Sequence, residues 1–210
     1  MIKQYGTLKK KILGFFYKVS EYSQAGQDLF AIELFGKNGT YIDIGAGEPI
    51  DNSNSYNLEV NYEWRGFCVD FNINNKKLWE LCPERKNKIY WEDALKFGYD
   101  KAILENNLPF NVDFLSCDID PQDKTFLALK KIINDGVRPK YIAFETDKYK
   151  ENVDYSNLAE EFLKPYGYKI GVKNVYSNLK RNKIFETWFL QSNLNFKTIE
   201  YKTWINKIKW

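Results

Sequence analysis

The sequence predicts an α/β protein with one mostly parallel sheet and helices on both of its faces. Strand-like and helix-like segments alternate along nearly the whole chain, and a glycine loop directly follows the first strand-like segment. The 210 residues, 44% of them hydrophobic, suffice for one sizeable core and are few for two full domains. We therefore expect a single domain over residues 23–210, preceded by an N-terminal helical extension over residues 1–22.

Seven short apolar runs predict the strands, because they alternate or are bounded by turn and acidic residues. Five of them should be parallel strands: TYIDIG (40–45), GFCVDF (66–71), NKIYWEDA (87–94), VDFLSCDID (112–120) and RPKYIAFETD (138–147). The last two should form a closing strand pair: YKIGVKN (168–174) and IFETWFL (184–190).

Segments with a helical apolar period lie between these runs. They are AGQDLFAIELF (25–35), NINNKKLWELC (72–82), TFLALKKIINDG (125–136) and SNLAEEFLKPYG (156–167). A further segment, NSNSYNLEVNYE (52–63), offers Ser53 as a cap before Tyr56, Leu58 and Val60.

Composition and charge narrow the functional classes. The formal charge of +3 is small and the charges are interspersed, so no surface for nucleic acid is expected. Three cysteines without a CxxC spacing, and no histidine at all, make a disulfide framework or thiol metal site improbable and suit a reduced, cytoplasmic protein. The missing histidine also excludes Ser-His and Cys-His catalysis.

The apolar run ILGFFY (12–17) is flanked by lysines and is too short for a membrane span or a signal sequence. We expect a short helix packed on the domain. A helix lying on a membrane surface is the alternative.

The loop after the first strand, YIDIGAGEPIDNSN (41–54), has two glycines but lacks the third glycine of a dinucleotide fingerprint. A pyrophosphate loop avoids carboxylates, whereas Asp43 and Glu48 flank this one. A ligand with a cationic centre, an amino group and a ribose diol suits the loop better, and S-adenosylmethionine has all three. An ordinary tight turn is the simpler explanation for the two glycines alone.

Acidic residues also follow each of the other parallel strands, where ligands bind in open α/β sheets. They are Asp70, then Glu92 and Asp93, then Asp118 and Asp120, then Glu145 and Asp147. Any one of them could instead cap a helix. Five strand ends in order, each with an acid, favour a binding site at this edge.

Four motifs occur in a fixed order between residues 23 and 72. They are a Ser-Gln…Gly-x-Asp element (Ser23, Gln24, Gly26, Gln27, Asp28), an Asp-Ile-Gly-Ala loop (Asp43 to Ala46), a Ser-Asn-Ser cap (Ser53, Asn54, Ser55) and a Trp-Arg-Gly turn (Trp64, Arg65, Gly66). With the later LSCDID and YIAFET, the chain resembles the FkbM-like family of S-adenosylmethionine-dependent methyltransferases over residues 23–191. Asp70 stands where the family usually has Glu, and Asp118-Ile119-Asp120-Pro121 replaces its common Asp-x-Glu-Gly.

The resemblance implies a Rossmann-like, seven-stranded methyltransferase sheet, mostly parallel with a closing antiparallel strand. It implies an O-methyltransferase that acts on a sugar hydroxyl of a glycan, a deoxyhexose such as rhamnose or a hexose, in surface-glycan biosynthesis. The acceptor would be a glycan, nucleotide-sugar or oligosaccharide, and glycosyltransferases of the same pathway would be partners. The protein would act in the cytoplasm of a bacterial cell or virus-infected host.

The strand-end pattern and the resemblance together give the predicted site residues. Those predicted to bind the cofactor are Gln24, Asp43, Gly45, Ala46, Gly47, Ser53, Asp70, Phe71, Asp93, Ala94 and Asp118. Asp118 and Asp120 are predicted to be catalytic. Because carboxylates suit Mg²⁺ or Mn²⁺, Asp118, Asp120 and Glu145 are predicted metal ligands, with helix capping by Asp120 as the alternative.

Two other classes of function stay open on the sequence alone. A nicotinamide-dependent sugar oxidoreductase or epimerase would use a similar sheet, although the missing third glycine and Glu48 argue against it. A non-catalytic binding scaffold of the same fold is the other, and the acids at all the strand ends argue against that.

Overall fold

The computed structural model describes residues 20–146, 153–177 and 183–208. The predicted helical extension over residues 1–22 lies almost wholly outside these described residues. None of the helices in the described ranges has the length and apolar character needed to cross a membrane.

Eight strands of the described residues form one sheet in the order β3-β2-β1-β4-β5-β7-β6-β8. The strands are β1 (Thr40–Ile44), β2 (Arg65–Val69), β3 (Lys88–Tyr90), β4 (Phe114–Cys117), β5 (Tyr141–Glu145), β6 (Tyr168–Ser177), β7 (Lys183–Gln191) and β8 (Ile199–Glu200). Strands β1 to β5 are mutually parallel, and β7 runs antiparallel to both β5 and β6. The predicted α/β class and mostly parallel sheet are confirmed, with the two-residue β8 added to the seven predicted strands.

In the described ranges, seven α-helices cover the two faces of the sheet. They are α1 (Gln27–Phe35), α2 (Tyr56–Tyr62), α3 (Lys76–Glu80), α4 (Tyr99–Glu105), α5 (Gln122–Asn134), α6 (Tyr155–Leu163) and α7 (Tyr201–Ile208). Helices α4, α5 and α6 pack on one face, and α1, α2, α3 and α7 pack on the other. Alternation within each strand explains this, since Ile42 and Ile44 of β1 join the first core and Tyr41 joins the second.

Helix α5 shows how sequence period and packing agree. Its buried apolar residues Ala128, Leu129, Ile132 and Ile133 follow the i, i+1, i+4, i+5 spacing of one helix face. Burying this face against β4 and β5 fixes the start of α5 just beyond the carboxyl end of β4.

The order of the strands reverses beside β1, which lies between β2 and β4. Strands β2 and β3, which follow β1 in the sequence, lie on one side of it. The next two strands, β4 and β5, lie on its other side. Loops after β1 and β4 therefore diverge at their carboxyl ends and leave a crevice between them, which is where ligands bind in open α/β sheets.

Candidate functional site

A cavity of about 490 Å³ occupies this crevice. Its lining comprises four carboxylates (Asp43, Glu48, Asp51, Asp118), five side-chain amides (Gln24, Asn52, Asn54, Asn72, Asn75) and the loop residues Gly45, Ala46 and Gly47. No lysine or arginine from the described ranges lines it. Six predicted cofactor residues thus meet here: Gln24, Asp43, Gly45, Ala46, Gly47 and Asp118.

The two glycines of the loop serve different purposes. Gly45 has φ +79°, and a Cβ added there would lie 1.7 Å from the carbonyl oxygen of Asp118, so only glycine lets the ends of β1 and β4 approach this closely. Gly47 has φ +62°, but nothing lies within 4 Å of its added Cβ. The backbone at Gly47 therefore faces the open cavity.

Asp70 holds the loop through backbone hydrogen bonds. Its Oδ2 accepts from the N–H of Gly47 at 2.6 Å, and its Oδ1 accepts from the N–H of Asn72 at 2.6 Å. On the other side, Trp79 Nε1 donates to the carbonyl oxygen of Gly47 at 2.9 Å. The peptide groups on both sides of Gly47 are thus fixed, and Asp70 joins the loop after β1 to the loop after β2.

Asp43 is a buried carboxylate at the base of the cavity, 1% exposed. Ser55 Oγ donates to its Oδ2 at 2.6 Å, and Ser116, its register partner on β4, also favours its charged form. Burial raises the pKa of Asp43, while these two hydroxyls and the charge of Arg85 partly offset the rise.

Arg85 was not predicted, yet it organises the segment after the glycine loop. Its guanidinium donates to Pro49 O at 2.9 Å, Ser53 Oγ at 3.2 Å and Ser55 Oγ at 3.0 Å. Its Nε lies 2.8 Å from Glu59 Oε2, an ion pair without the alignment of a hydrogen bond. The guanidinium also lies over the ring of Trp79, 4.4 Å from its centroid.

The N-terminal motif brings Gln24 to the cavity by burying its neighbours. Ser23 Oγ donates to Asp28 Oδ1 at 2.5 Å, and Gln27 Nε2 donates to Glu186 Oε1 at 2.7 Å. Asp28 is fully buried, and burial raises its pKa. The motif is therefore a structural turn that leaves the Gln24 side chain facing the cavity.

The remaining predicted cofactor residues do not line the cavity. Ser53 is buried, and its hydroxyl accepts from the N–H of Tyr56 at 3.1 Å, whereas the N-cap residue of α2 is Ser55 and not the predicted Ser53. Asp93 accepts from the N–H of Leu95 at 2.9 Å, and the buried Ala94 follows it. Phe71 is 81% exposed, so packing against the core does not hold it in place.

The predicted metal ligands do not form a ligand set. Within the described ranges, no group of three or more aspartate, glutamate or cysteine side chains is arranged to hold a metal ion. The pairing of Cys117 with Phe144 places Asp118 and Glu145 on adjacent positions, but Asp120 is exposed beyond the end of β4, and Glu145 is buried. A metal site on Asp118, Asp120 and Glu145 is therefore not supported.

Several cavity residues escaped the sequence analysis as ligands: Asp51, Asn52, Asn54, Asn72 and Asn75. A signal for them existed, because the segments after β1 and β2 are dense in asparagine, DNSN at 51–54 and NINN at 72–75. A second cavity of about 410 Å³ lies at the amino ends of β2 and β3, lined by Glu59 and Trp64 among others. There Glu59 is already engaged by Arg85 and by the N–H of Asn87.

No protein-family model and no curated protein sequence matches this chain significantly. Its fold is similar to that of fibrillarin from Aeropyrum pernix, solved with natively bound S-adenosyl-L-methionine (TM-score 0.51, 15% identity, 77% of this chain and 74% of that chain). It is similar to a candidate rRNA-methylase from Clostridium thermocellum (TM-score 0.51, 15% identity, 80% and 96%). It is also similar to the METTL16 methyltransferase domain (TM-score 0.51, 18% identity, 77% and 64%). The chain therefore has the Rossmann-like fold of these methyltransferases.

Proposed function

We propose that this protein is an S-adenosylmethionine-dependent methyltransferase. The observation that carries the proposal is the chemistry of the cavity at the strand-order reversal, where the described residues supply four carboxylates, five amides and no cationic side chain. S-adenosylmethionine brings a sulfonium, an ammonium and two ribose hydroxyls to such a site. The fold, shared with a fibrillarin that binds this molecule, supports the same conclusion.

A nicotinamide dinucleotide fits the same cavity poorly. Its pyrophosphate would lie beside the glycine loop, between Asp43, Glu48 and Asp118. Two like charges 4 Å apart repel by about 4 kcal/mol at the effective dielectric of a protein surface. Among the residues that the structure describes, no lysine or arginine lines the cavity to offset this repulsion.

In this proposal, different residues around the cavity bind different parts of the cofactor. Gly45 to Gly47 bring the backbone close to the amino-acid part, and Asp43 and Asp118 face its positive charge. Each oxygen of Asp70 accepts one backbone N–H and keeps a lone pair for a ribose hydroxyl. Asp93 and Ala94, after β3, lie at the strand end where the adenine would bind.

The acceptor in this proposal is a sugar hydroxyl of a glycan. The resemblance to the FkbM-like family over residues 23–191 supports it, as do the cavity-lining Asn52, Asn72 and Asn75, whose amides can both donate to and accept from hydroxyls, and Asp51, whose carboxylate can accept from them. S-adenosylmethionine supplies an electrophilic methyl group. The chain has no histidine, so we propose that a carboxylate takes the hydroxyl proton, and Asp118 is the predicted catalytic residue that lines the cavity.

We expect labelled methyl to pass from S-adenosylmethionine to oligosaccharides that end in a hexose or deoxyhexose, measured by scintillation counting of the purified acceptor. Asp118→Asn should lower kcat by about 10² or more, since it removes the proton acceptor. The matched variant Asp120→Asn should lower it less, because Asp120 is exposed outside the cavity lining. Transfer to RNA and to no oligosaccharide would contradict the glycan assignment, and equal losses in both variants would contradict the role of Asp118.

A further inference from the structure

Asn54 belongs to a group of buried, hydrogen-bonded side chains that surrounds Asp43 from two sides. On one side, Arg85 donates to Ser55 at 3.0 Å, and Ser55 donates to Asp43 at 2.6 Å. On the other side, Asn54 Nδ2 donates to Ser116 Oγ at 2.9 Å, and Ser116 is the register partner of Asp43 on the neighbouring strand. All of these side chains are buried.

This group fixes which way the Asn54 amide faces. Asp43 is a carboxylate and can only accept, and Ser116 favours its charged form, so the hydroxyl proton of Ser116 is directed toward it. The Ser116 oxygen must then accept a proton from Asn54, and only the Nδ2 group of Asn54 can donate one. The Oδ1 atom of Asn54 is thereby turned away from Ser116.

Asn54 Oδ1 has no donor from the described residues, although the atom is buried and the residue lines the cavity. A buried carbonyl oxygen without a donor is costly, and native proteins rarely leave one unless a ligand or solvent supplies the hydrogen bond. Asp43 lines the same cavity, and the Ser116 hydroxyl that accepts from Asn54 belongs to its register partner on β4. Asp118 follows Ser116 by two positions and so lies on the same face of the sheet.

We propose that Asn54 is a specificity residue for a primary ammonium group, accepting one of its N–H bonds through Oδ1 while Asp43 and Asp118 balance its charge. An ammonium group has three N–H donors and one positive charge, which matches one amide oxygen and two carboxylates. A sulfonium has no N–H to donate, and a ribose hydroxyl would not need two carboxylates beside it. The inference rests on the proposed function and places the ammonium of the cofactor's amino-acid part at Asn54.

Two ligands test this assignment, because only one of them carries the ammonium group. S-adenosylhomocysteine carries the ammonium, and 5′-methylthioadenosine lacks the whole amino-acid part. By calorimetry, Asn54→Ala should weaken binding of S-adenosylhomocysteine by about 10-fold or more, the effect of one hydrogen bond to a charged group. Its affinity for 5′-methylthioadenosine should change by less than about twofold.

The matched control is Asn75→Ala, which removes an amide from the same cavity but outside the group around Asp43. It should change the affinities for both ligands by the same factor. Equal weakening of the two ligands by Asn54→Ala, or no weakening, would overturn the assignment of Asn54.

A measurement on the wild-type protein covers the case in which Asn54→Ala does not fold. An analogue of S-adenosylhomocysteine with hydrogen in place of the α-amino group should bind at least about 10-fold more weakly than S-adenosylhomocysteine itself. Equal affinities would overturn the ammonium site while leaving the proposed function intact. Failure of the wild-type protein to bind any of the three ligands would overturn the proposed function, and this inference with it.

Discussion

Replacing Arg85 by methionine is expected to lower the free energy of unfolding by about 3–5 kcal/mol, the usual cost of removing one partner of a buried ion pair. The side chains of Arg85 and Glu59 are 1% and 5% exposed. Methionine would leave the Glu59 carboxylate buried without its cation and would remove the donors to Pro49, Ser53 and Ser55. Urea denaturation of the two proteins measures the difference.

A second substitution separates the buried charge from the lost packing. Adding Glu59→Gln to Arg85→Met should recover at least about 1 kcal/mol, because the double variant no longer buries an unpaired carboxylate. The exposed ion pair between Lys88 and Glu105 is the control, and Lys88→Met should cost less than about 1 kcal/mol. A cost below 1 kcal/mol for Arg85→Met would show that Arg85 does not organise the site.

Gly45→Ala is expected to cost about 2–5 kcal/mol of stability and to abolish measurable binding of S-adenosylhomocysteine. The left-handed backbone contributes about 1–2 kcal/mol and overpacking about 1–3 kcal/mol. The methyl group would meet the Asp118 carbonyl oxygen at 1.7 Å, so the ends of β1 and β4 would have to separate. That displacement would move Asp118 and Asp43 apart.

Gly47→Ala is the matched control, since its backbone is also left-handed but its added Cβ meets nothing within 4 Å. It should cost only the backbone term of about 1–2 kcal/mol. Thermal unfolding and calorimetry on both variants make the comparison. Equal stabilities for the two variants would contradict the explanation given for Gly45.

The strands of the sheet could be predicted because their local sequence and their tertiary surroundings agree. Parallel strands such as β4 and β5 are short, fully buried runs that end at or just before an acid, and β6 begins by alternating apolar and polar residues. Helices α4 and α7 and strand β8 were not predicted. The seven residues of α4 and eight of α7 are too short for periodicity alone to identify, and the fold stabilises them by burying residues such as Ile103 and Trp204.

The part of the site that follows β1 could be predicted, because a glycine loop after a strand has a geometry fixed by local sequence. The residues that were missed depend on tertiary contacts. Arg85 meets Pro49 and Ser55 across 36 and 30 positions of the chain, and nothing local marks it as buried. Asn54 was named only as part of a cap, since its contact with Ser116 spans 62 positions.

The described residues do not support the predicted metal site, and the reason is geometric. Acids at the ends of neighbouring strands can bind one metal ion only if their side chains point to the same position. The spacing of acids along the chain does not determine this. Asp120 lies two residues beyond Asp118 and is exposed, whereas Glu145 is buried in the last position of β5. The alternation of strand faces and the turn after β4 therefore separate residues that look equivalent in the sequence.

Calorimetric titration of the wild-type protein with S-adenosylhomocysteine, and in parallel with NADH, tests the central claim most directly. The acidic cavity beside the glycine loop predicts saturable binding of S-adenosylhomocysteine at one site per chain and no binding of NADH at the same concentrations. Binding of NADH without binding of S-adenosylhomocysteine, or binding of neither, would contradict the proposal that this cavity holds S-adenosylmethionine.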